Sequence, residues 1–182
     1  MIRNCCDEDI PVIETIINAA AQKYRGAIPA DCWHEPYMTT TDLKAEITAG
    51  VTFSAWEDDG SVVGVMGVQK VKDATLIRHA YVMPGNQGRG IGGALLDAFI
   101  ERTQGKLLVG TWAAAEWAIR LYERHGFRLV AAEEKDRLLS TYWKISPRQQ
   151  QTSVVLAYDP VHRAPLGPLS RGSTHASRED TQ

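Results

Sequence analysis

The chain turns from strand to helix in one stretch, Val82-Met-Pro-Gly-Asn-Gln-Gly-Arg-Gly-Ile-Gly-Gly-Ala-Leu-Leu96, which decides the fold. Strand residues give way to a proline and a glycine-rich turn, and apolar residues at helical spacing continue from Ile91. Glycines leave room for a ligand to approach the backbone. The unpaired N–H groups at a helix start favour an anion. The stretch therefore predicts a pyrophosphate-binding loop.

Upstream of this stretch, the pattern indicates an antiparallel meander. Residues 51–57 and 62–71 flank Asp58-Asp-Gly60, and an Asp-Gly pair between two strand-like runs is typical of a hairpin. Lys72-Asp73 predicts another turn before a third strand over 74–83. Three consecutive antiparallel strands before the loop argue against a sheet built only from parallel strands.

The N-terminal part predicts a short strand over 2–6, a helix with carboxylates in its first turn, and a second helix over 41–49. Between the helices, residues 24–41 mix aromatic residues and prolines with no clear period. An aromatic loop that covers a pocket and a simple packed connection are both consistent with this segment.

The C-terminal part alternates helix and strand. We expect a helix from Ile91 to about Gly105, a strand over 107–112, a helix from Ala114 closed by Gly126, a strand over 127–132 and a last strand over 152–158. The charged run over 133–137 predicts a solvated loop. Residues 159–182 are rich in Pro, Gly, Ser and Thr and predict a disordered tail after a single domain over 1–158.

Composition excludes several classes of protein. The chain has 182 residues, 44% of them hydrophobic, with a net charge of −2, as in a single soluble domain and unlike a dedicated nucleic-acid binder. No apolar run is long enough for a membrane span, and the N-terminus has no secretory signal. Three cysteines without CxxC spacing argue against a disulfide framework and against a metal site. We therefore expect a cytoplasmic protein.

Three interpretations of the loop compete on local sequence. Gly88-Arg-Gly-Ile-Gly-Gly93 fits the G-x-G-x-x-G dinucleotide fingerprint. That motif normally opens a parallel βαβ unit whose next strand ends in an acidic residue, whereas the next strand here is Leu107-Leu-Val-Gly-Thr-Trp112. A purely structural glycine turn is the second interpretation. The third interpretation rests on a resemblance of this loop and of a second motif to a known family. A Walker loop is excluded because no Gly-Lys-Ser/Thr follows.

Two motifs favour the third interpretation. Gln87-Gly-Arg-Gly90-Ile-Gly92 resembles the (Arg/Gln)-x-x-Gly-x-(Gly/Ala) loop of the GNAT superfamily of N-acetyltransferases. Ala118-Ile-Arg-Leu-Tyr122-Glu-Arg-His-Gly-Phe127 resembles the second recognisable stretch of that family, in which a helix ends in Tyr-x-x-x-Gly-Phe. The two pieces lie at the family's separation, and the predicted element order over roughly 1–158 matches as well.

The resemblance implies an α/β fold with a mixed, mainly antiparallel sheet flanked by helices and a splay between the fourth and fifth strands. It implies an acyltransferase that transfers an acetyl group from acetyl-CoA to a primary amine of a small molecule or peptide, without a metal. A non-catalytic acyl-CoA sensor is the alternative. Members often dimerise, and no feature of the sequence decides whether this chain does.

The resemblance also implies site residues. The backbone of the loop would bind the pyrophosphate, and the pantetheine arm would pair with the strand near Val82, whose N–H would face the thioester carbonyl. The loop positions are Gln87, Gly88, Arg89, Gly90, Ile91, Gly92 and Gly93. Tyr122 matches the tyrosine that protonates the departing CoA thiolate in many members, although a half-buried structural tyrosine would look the same in sequence.

The sequence departs from the family where many members carry an asparagine, here Ala115, and where some carry a glutamate base, here Gly110. His79 is therefore the leading candidate for the base, since an imidazole titrates near neutral pH, and an ordinary hydrogen-bonded sheet histidine is its alternative. Strict strand alternation places Arg78 on the opposite face from His79.

Other residues are weaker candidates. His34 and Glu35 in the aromatic loop are further candidates for the base, and His125 is expected to cap a helix C-terminus. Aromatic residues suited to an apolar or cationic acceptor are Tyr24, Trp33, Tyr37, Trp112, Trp117 and Trp143.

Overall fold

The computed structural model describes residues 1–159. The strands are β1 (Ile2–Asn4), β2 (Val51–Asp58), β3 (Ser61–Val71), β4 (Ala74–Val82), β5 (Lys106–Trp112), β6 (Phe127–Leu129) and β7 (Ser153–Tyr158). The helices are α1 (Ile10–Ala21), α2 (Thr40–Thr48), α3 (Ile91–Arg102), α4 (Glu116–Arg124), α5 (Ala132–Tyr142) and α6 (Pro147–Gln151). Short 3₁₀ turns precede α1, follow it and open the loop before α3.

The strands form one seven-stranded sheet in the order β1-β2-β3-β4-β5-β7-β6. β4 and β5 pair in parallel, and the other neighbouring strands of this sheet pair antiparallel. The hairpin predicted from Asp58-Asp-Gly60 joins β2 to β3, with Asp59 and Gly60 both at positive φ. The predicted mixed α/β fold is confirmed.

The two strands at the centre of the sheet separate before they end. β4 and β5 pair only from Ala74 opposite Lys106 to Ile77 opposite Val109. β5 then continues against β7, and β4 continues against β3. Beyond Ile77 the two strands leave an opening, which we call the gap, and the predicted splay between the fourth and fifth strands is confirmed.

A β-bulge lies where the gap begins. His79 pairs with Gly67 of β3, but the next residue of β3, Val68, pairs with Ile77, which leaves Arg78 as an extra residue. Ile77 and Ala80 both pack in the core beside α3, so Arg78 and His79 lie between two residues of the same face. The expectation from strict alternation, that Arg78 and His79 take opposite faces, does not hold across the bulge.

Helices cover both faces of the sheet. On one face, Leu95, Leu96 and Ile100 of α3 are buried with residues of β3, β4 and β5. On the other face, Ile13, Ile16 and Ile17 of α1 recur at helical spacing and are fully or almost fully buried against β2 and β3. We call this second side, which α1, α2 and α5 cover, the α1 face.

The charged run over 133–137, predicted as a solvated loop, lies instead within α5. The run is exposed on the helix apart from Lys135, which is half-buried, while Leu138, Leu139 and Tyr142 at helical spacing are buried beside β5 and β7. The prediction was wrong because burial of this apolar stripe stabilises a helix that the charges alone do not indicate. The strand predicted over 127–132 is also shorter, because β6 ends at Leu129.

The described part of the chain ends at Asp159, directly after β7. The Asp159 N–H donates to the Gly126 carbonyl at 2.9 Å, next to the last strand. The rest of the predicted disordered tail, residues 160–182, lies outside the described residues. None of the helices in the described part of the chain has the length and apolar character needed to cross a bilayer.

Candidate functional site

A glycine loop over residues 84–90 joins β4 to α3. Gly88 and Gly90 adopt φ values of +79° and +80°, which side chains rarely tolerate, and a Cβ at either position would meet nothing within 4 Å. Gly90 is the N-cap of α3 and supplies no side-chain cap, so the first N–H groups of the helix face outward. The loop thus offers a wide approach and unpaired donors, as an anion requires.

Two side chains fix the loop. Gln87 Nε2 donates to the Val82 carbonyl at 3.0 Å and ties the loop to the end of β4. Arg89 Nη1 pairs with Asp58 Oδ2 at 2.8 Å, in the hairpin between β2 and β3. Arg89 therefore belongs to the loop through its backbone, while its side chain points to a neighbouring turn.

The two later glycines, Gly92 and Gly93, differ in how closely α4 approaches them. A Cβ on Gly92 would lie 3.7 Å from Leu121, an ordinary contact, whereas a Cβ on Gly93 would lie 2.9 Å from His125 Nε2. His125 sits at the C-terminal end of α4, as predicted, and its Nδ1 lies 2.8 Å from Asp97 Oδ1. A side chain at position 93 would therefore force the His125 ring to shift.

The backbone of β4 faces the gap at alternate residues. Because the Met83 N–H donates to the Val63 carbonyl of β3 at 2.9 Å, the N–H of the preceding residue, Val82, points away from β3 and into the gap. The same alternation turns the backbone of Ala80 toward the gap. An extended ligand could therefore hydrogen-bond to this edge of β4 as an added strand would.

A cleft of ≈ 1010 Å³ connects these features. It runs from the glycine loop along the gap to the α1 face, and it is lined by Gln87, Gly88, Gly90, Ile91, Gly92 and Gly93 at one end. Val82, Tyr122 and His79 also line it. The structure thus brings together every predicted site residue except the side chain of Arg89.

Tyr122 is 5% exposed and packs edge-on against Phe127, with ring centroids 5.6 Å apart. Burial, helped by the nearby Tyr24, raises the pKa of Tyr122 above its ordinary value. A raised pKa keeps the phenol protonated at neutral pH. Tyr122 therefore presents a protonated phenol at the wall of the cleft.

His79 is 8% exposed and is held by a partner that the sequence did not indicate. Its Nε2 lies 2.5 Å from Glu46 Oε2, on α2, and its ring stacks on Phe53. Because a carboxylate only accepts hydrogen bonds, Nε2 carries a proton, and in the neutral form of the ring Nδ1 is the atom with the lone pair. Nδ1 is buried with no hydrogen-bond partner within residues 1–159.

Glu46 stays ionised beside His79. Burial pushes the pKa of this carboxyl up, but the hydrogen bond from His79 and the electrostatic contributions of His79 and Arg78 outweigh burial and lower the pKa below its usual value. Glu46 lies in α2 with no neighbouring motif, so sequence reasoning had no signal that pointed to it.

Aromatic rings form the wall of the cleft on the α1 face. Of the six predicted aromatic residues, five line the cleft: Tyr24, Tyr37, Trp112, Trp117 and Trp143. Trp33 lies behind them, stacked on Tyr37 at 5.6 Å. Tyr81, which sequence reasoning missed, also lines the cleft, and its position two residues after His79 in β4 was the available signal.

The two further candidates for the base differ in placement. His34 lines the cleft, but its Nδ1 lies 2.7 Å from the Pro36 carbonyl and its ring stacks on Tyr37. Glu35 accepts a hydrogen bond from Gln22 at 2.9 Å and does not line the cleft.

Both positions that depart from the family pattern lie in closely packed surroundings. Ala115 is fully buried before α4. A Cβ on Gly110 would lie 3.2 to 3.4 Å from the indole of Trp143, which packs directly on this residue. The Trp143 ring therefore takes the space that a side chain at 110 would need, and His79 remains the buried imidazole next to the gap.

Comparison with known families agrees with this geometry. The family model described as an acetyltransferase (GNAT) domain matches residues 49–129, which include β2 to β6 and the glycine loop. This part of the chain is thus similar to a GNAT acetyltransferase domain, and the similarity indicates an acyltransferase. No curated protein matches the chain by sequence.

Solved structures show the same fold at low identity. The ribosomal-protein-S18-alanine N-acetyltransferase of Escherichia coli is 19% identical with a TM-score of 0.62, over 87% of this chain and 92% of that one. The PaiA N-acetyltransferase of Thermoplasma acidophilum, in complex with coenzyme A, is 13% identical with a TM-score of 0.64, over 87% and 97%. A GNAT acetyltransferase of Elizabethkingia anophelis with acetyl-CoA bound is 18% identical with a TM-score of 0.59, over 87% and 97%.

Proposed function

We propose that this protein transfers an acetyl group from acetyl-CoA to a primary amine by direct attack. The observation that carries the proposal is the continuous cleft from the glycine loop, through the gap, to the buried pair of His79 and Glu46. A donor seated at one end and an acceptor at the other would meet where Tyr122 lines the wall.

The donor end fits acetyl-CoA in shape and charge. The open space around Gly88 and Gly90 admits a pyrophosphate, and the start of α3 supplies N–H groups to it. The gap-facing backbone of Ala80 and Val82 would pair with the amides of the pantetheine arm. Two of the structural neighbours described above contain coenzyme A or acetyl-CoA, which supports the same ligand here.

The reaction forms a C–N bond to the acetyl carbon and breaks its C–S bond. The Val82 N–H would face the thioester carbonyl oxygen and stabilise the negative charge that develops on it. Tyr122 would give its proton to the departing sulfur, and its raised pKa keeps that proton available. The amine loses a proton in the same step, which requires an acceptor on the α1 face.

His79 would accept that proton at Nδ1, directly or through one water molecule. Glu46 holds the proton on Nε2 and so leaves the Nδ1 lone pair free, and it stabilises the imidazolium that forms. Positioning both substrates in one cleft supplies the rest of the rate enhancement.

Calorimetry of the full chain with acetyl-CoA, followed by a thiol-release screen, tests the proposal. The screen uses amino acids, polyamines, aminoglycosides and peptides with free N-termini. We expect saturable acetyl-CoA binding and release of CoA with at least one amine. Binding without release from any amine would favour the acyl-CoA sensor, and absence of binding at millimolar acetyl-CoA would refute both interpretations.

A further inference from the structure

We infer that the acceptor carries a carboxylate, which Arg78 binds at the entrance to the gap. The inference rests on the proposed function and adds the class of acceptor. Arg78 is partly buried, lines the cleft and makes no hydrogen bond or ion pair with any residue in 1–159. A guanidinium in a cleft without a partner is a site for an anion from outside the chain.

The carboxylates that line the cleft are already engaged. Asp31 pairs with Arg148 at 3.1 Å, Asp42 accepts a hydrogen bond from the Thr39 hydroxyl, and Glu46 is bound to His79. Glu46 is close enough to Arg78 for its pKa to respond, yet no ion pair forms between them. Arg78 therefore keeps its donors for a ligand.

The anion that Arg78 binds is not the pyrophosphate of the donor. Arg78 precedes Val82 by four residues, which is about 13 Å along an extended strand, and the glycine loop lies beyond Val82 in the opposite direction. The bulge places Arg78 beside His79, where the amine would lose its proton. An anion bound there belongs to the acceptor.

The charge at this place fits a carboxylate better than a phosphate. Of the other cations that line the cleft, Lys23 lies 4.4 Å over the Trp117 ring and Arg124 lies at the end of α4, close to the loop. The single unpaired guanidinium carries one positive charge, which matches the one negative charge of a carboxylate. Its N–H groups can donate to both carboxylate oxygens at once. His79 Nδ1, buried and unpartnered, lies in the neighbouring position for the amine.

Matched acceptors test this inference without any mutation. L-Phenylalanine, its amide and phenethylamine keep the same ring and amine but differ in the carboxylate, and β-alanine with 2-aminoethylphosphate compares carboxylate with phosphate. For the acetyl-CoA-loaded protein, we expect a kcat/KM about 10- to 100-fold higher for an amino carboxylate than for its amide or decarboxylated amine. A preference for 2-aminoethylphosphate would contradict the inference.

The variant Arg78→Gln should raise KM for the amino carboxylate about 10-fold or more and abolish the preference over the amide, with little change in kcat. Arg78→Lys should restore part of the preference, and Arg128→Gln, an exposed arginine on β6 outside the cleft, is the control. Equal rates for acid and amide in the wild type would overturn the inference while leaving acetyl transfer intact. Calorimetry that shows no amino carboxylate binding to the CoA-loaded protein would also overturn it.

Discussion

The two ends of the cleft are built by different parts of the chain. At the donor end, the glycine loop and the edge of β4 present backbone N–H groups from one continuous stretch, residues 80–93. At the acceptor end, side chains from α1, α2, β4, β5 and α4 converge, and His79 meets Glu46 from 33 residues away. Under the proposed function, backbone recognition would suit a donor shared by a whole family, whereas side-chain recognition would let the acceptor differ between members.

The largest effect is expected where the two ends meet, at Tyr122. Tyr122→Phe removes the proton donor but keeps the ring that packs on Phe127. We expect kcat to fall by about 10²- to 10⁴-fold with an unchanged Kd for acetyl-CoA. Steady-state kinetics and calorimetry measure the two quantities, and an unchanged kcat would show that Tyr122 is only a packed aromatic residue.

The next effect concerns the pair at the acceptor end. His79→Gln should lower kcat by about 100-fold, and Glu46→Gln by less, because a neutral amide still holds the ring. The Kd for acetyl-CoA should stay the same in both variants, because neither side chain belongs to the glycine loop. An unchanged kcat in His79→Gln would assign the base to another group.

A smaller effect is expected from Gly90→Ala at the donor end. The methyl group would occupy the approach to the loop at positive φ, and we expect acetyl-CoA binding to weaken about 10-fold. Gly105→Ala is the matched control, because it imposes a similar strain at φ +86° with equally open surroundings in the turn between α3 and β5. Equal losses of affinity in both variants would point to general destabilisation.

The smallest effect is expected for Arg89→Ala. Its side chain is 53% exposed and pairs with Asp58, so we expect a change in unfolding free energy within about 1 kcal/mol. Acetyl-CoA KM should change less than about threefold, since the backbone of the loop is retained. A large rise in KM would mean that the guanidinium leaves Asp58 to bind a phosphate.

The sequence predicted the glycine loop and the hairpin before it well because their signals are local. A proline, positive-φ glycines and an amphipathic helix within fifteen residues specify the loop, and Asp-Gly specifies the hairpin before it. These features depend on backbone conformation, which neighbouring residues largely determine. The role of the later glycine at 93 was less visible, since it depends on contact with His125 from another helix.

The acceptor end could not be predicted in the same way. The bulge at Arg78 has no signal in β4, yet it moves Arg78 away from the face that alternation predicts. Glu46 is one of several charged residues in α2, and nothing in the sequence distinguishes it from those that face solvent. Only the packing of α2 against the sheet brings Glu46 to His79. The helix α5 was not predicted either, because its run of charged residues is more prominent in the sequence than the few apolar residues that the helix buries.

Three of the five tryptophans, Trp112, Trp117 and Trp143, border the cleft. Indole emission responds to a change in its immediate surroundings, and entry of a thioester or an amine would replace water beside these rings. Intrinsic tryptophan fluorescence should therefore report whether a ligand occupies the cleft. A fluorescence titration can follow binding of acetyl-CoA or of an amine without a label. It does not require that turnover be detected first.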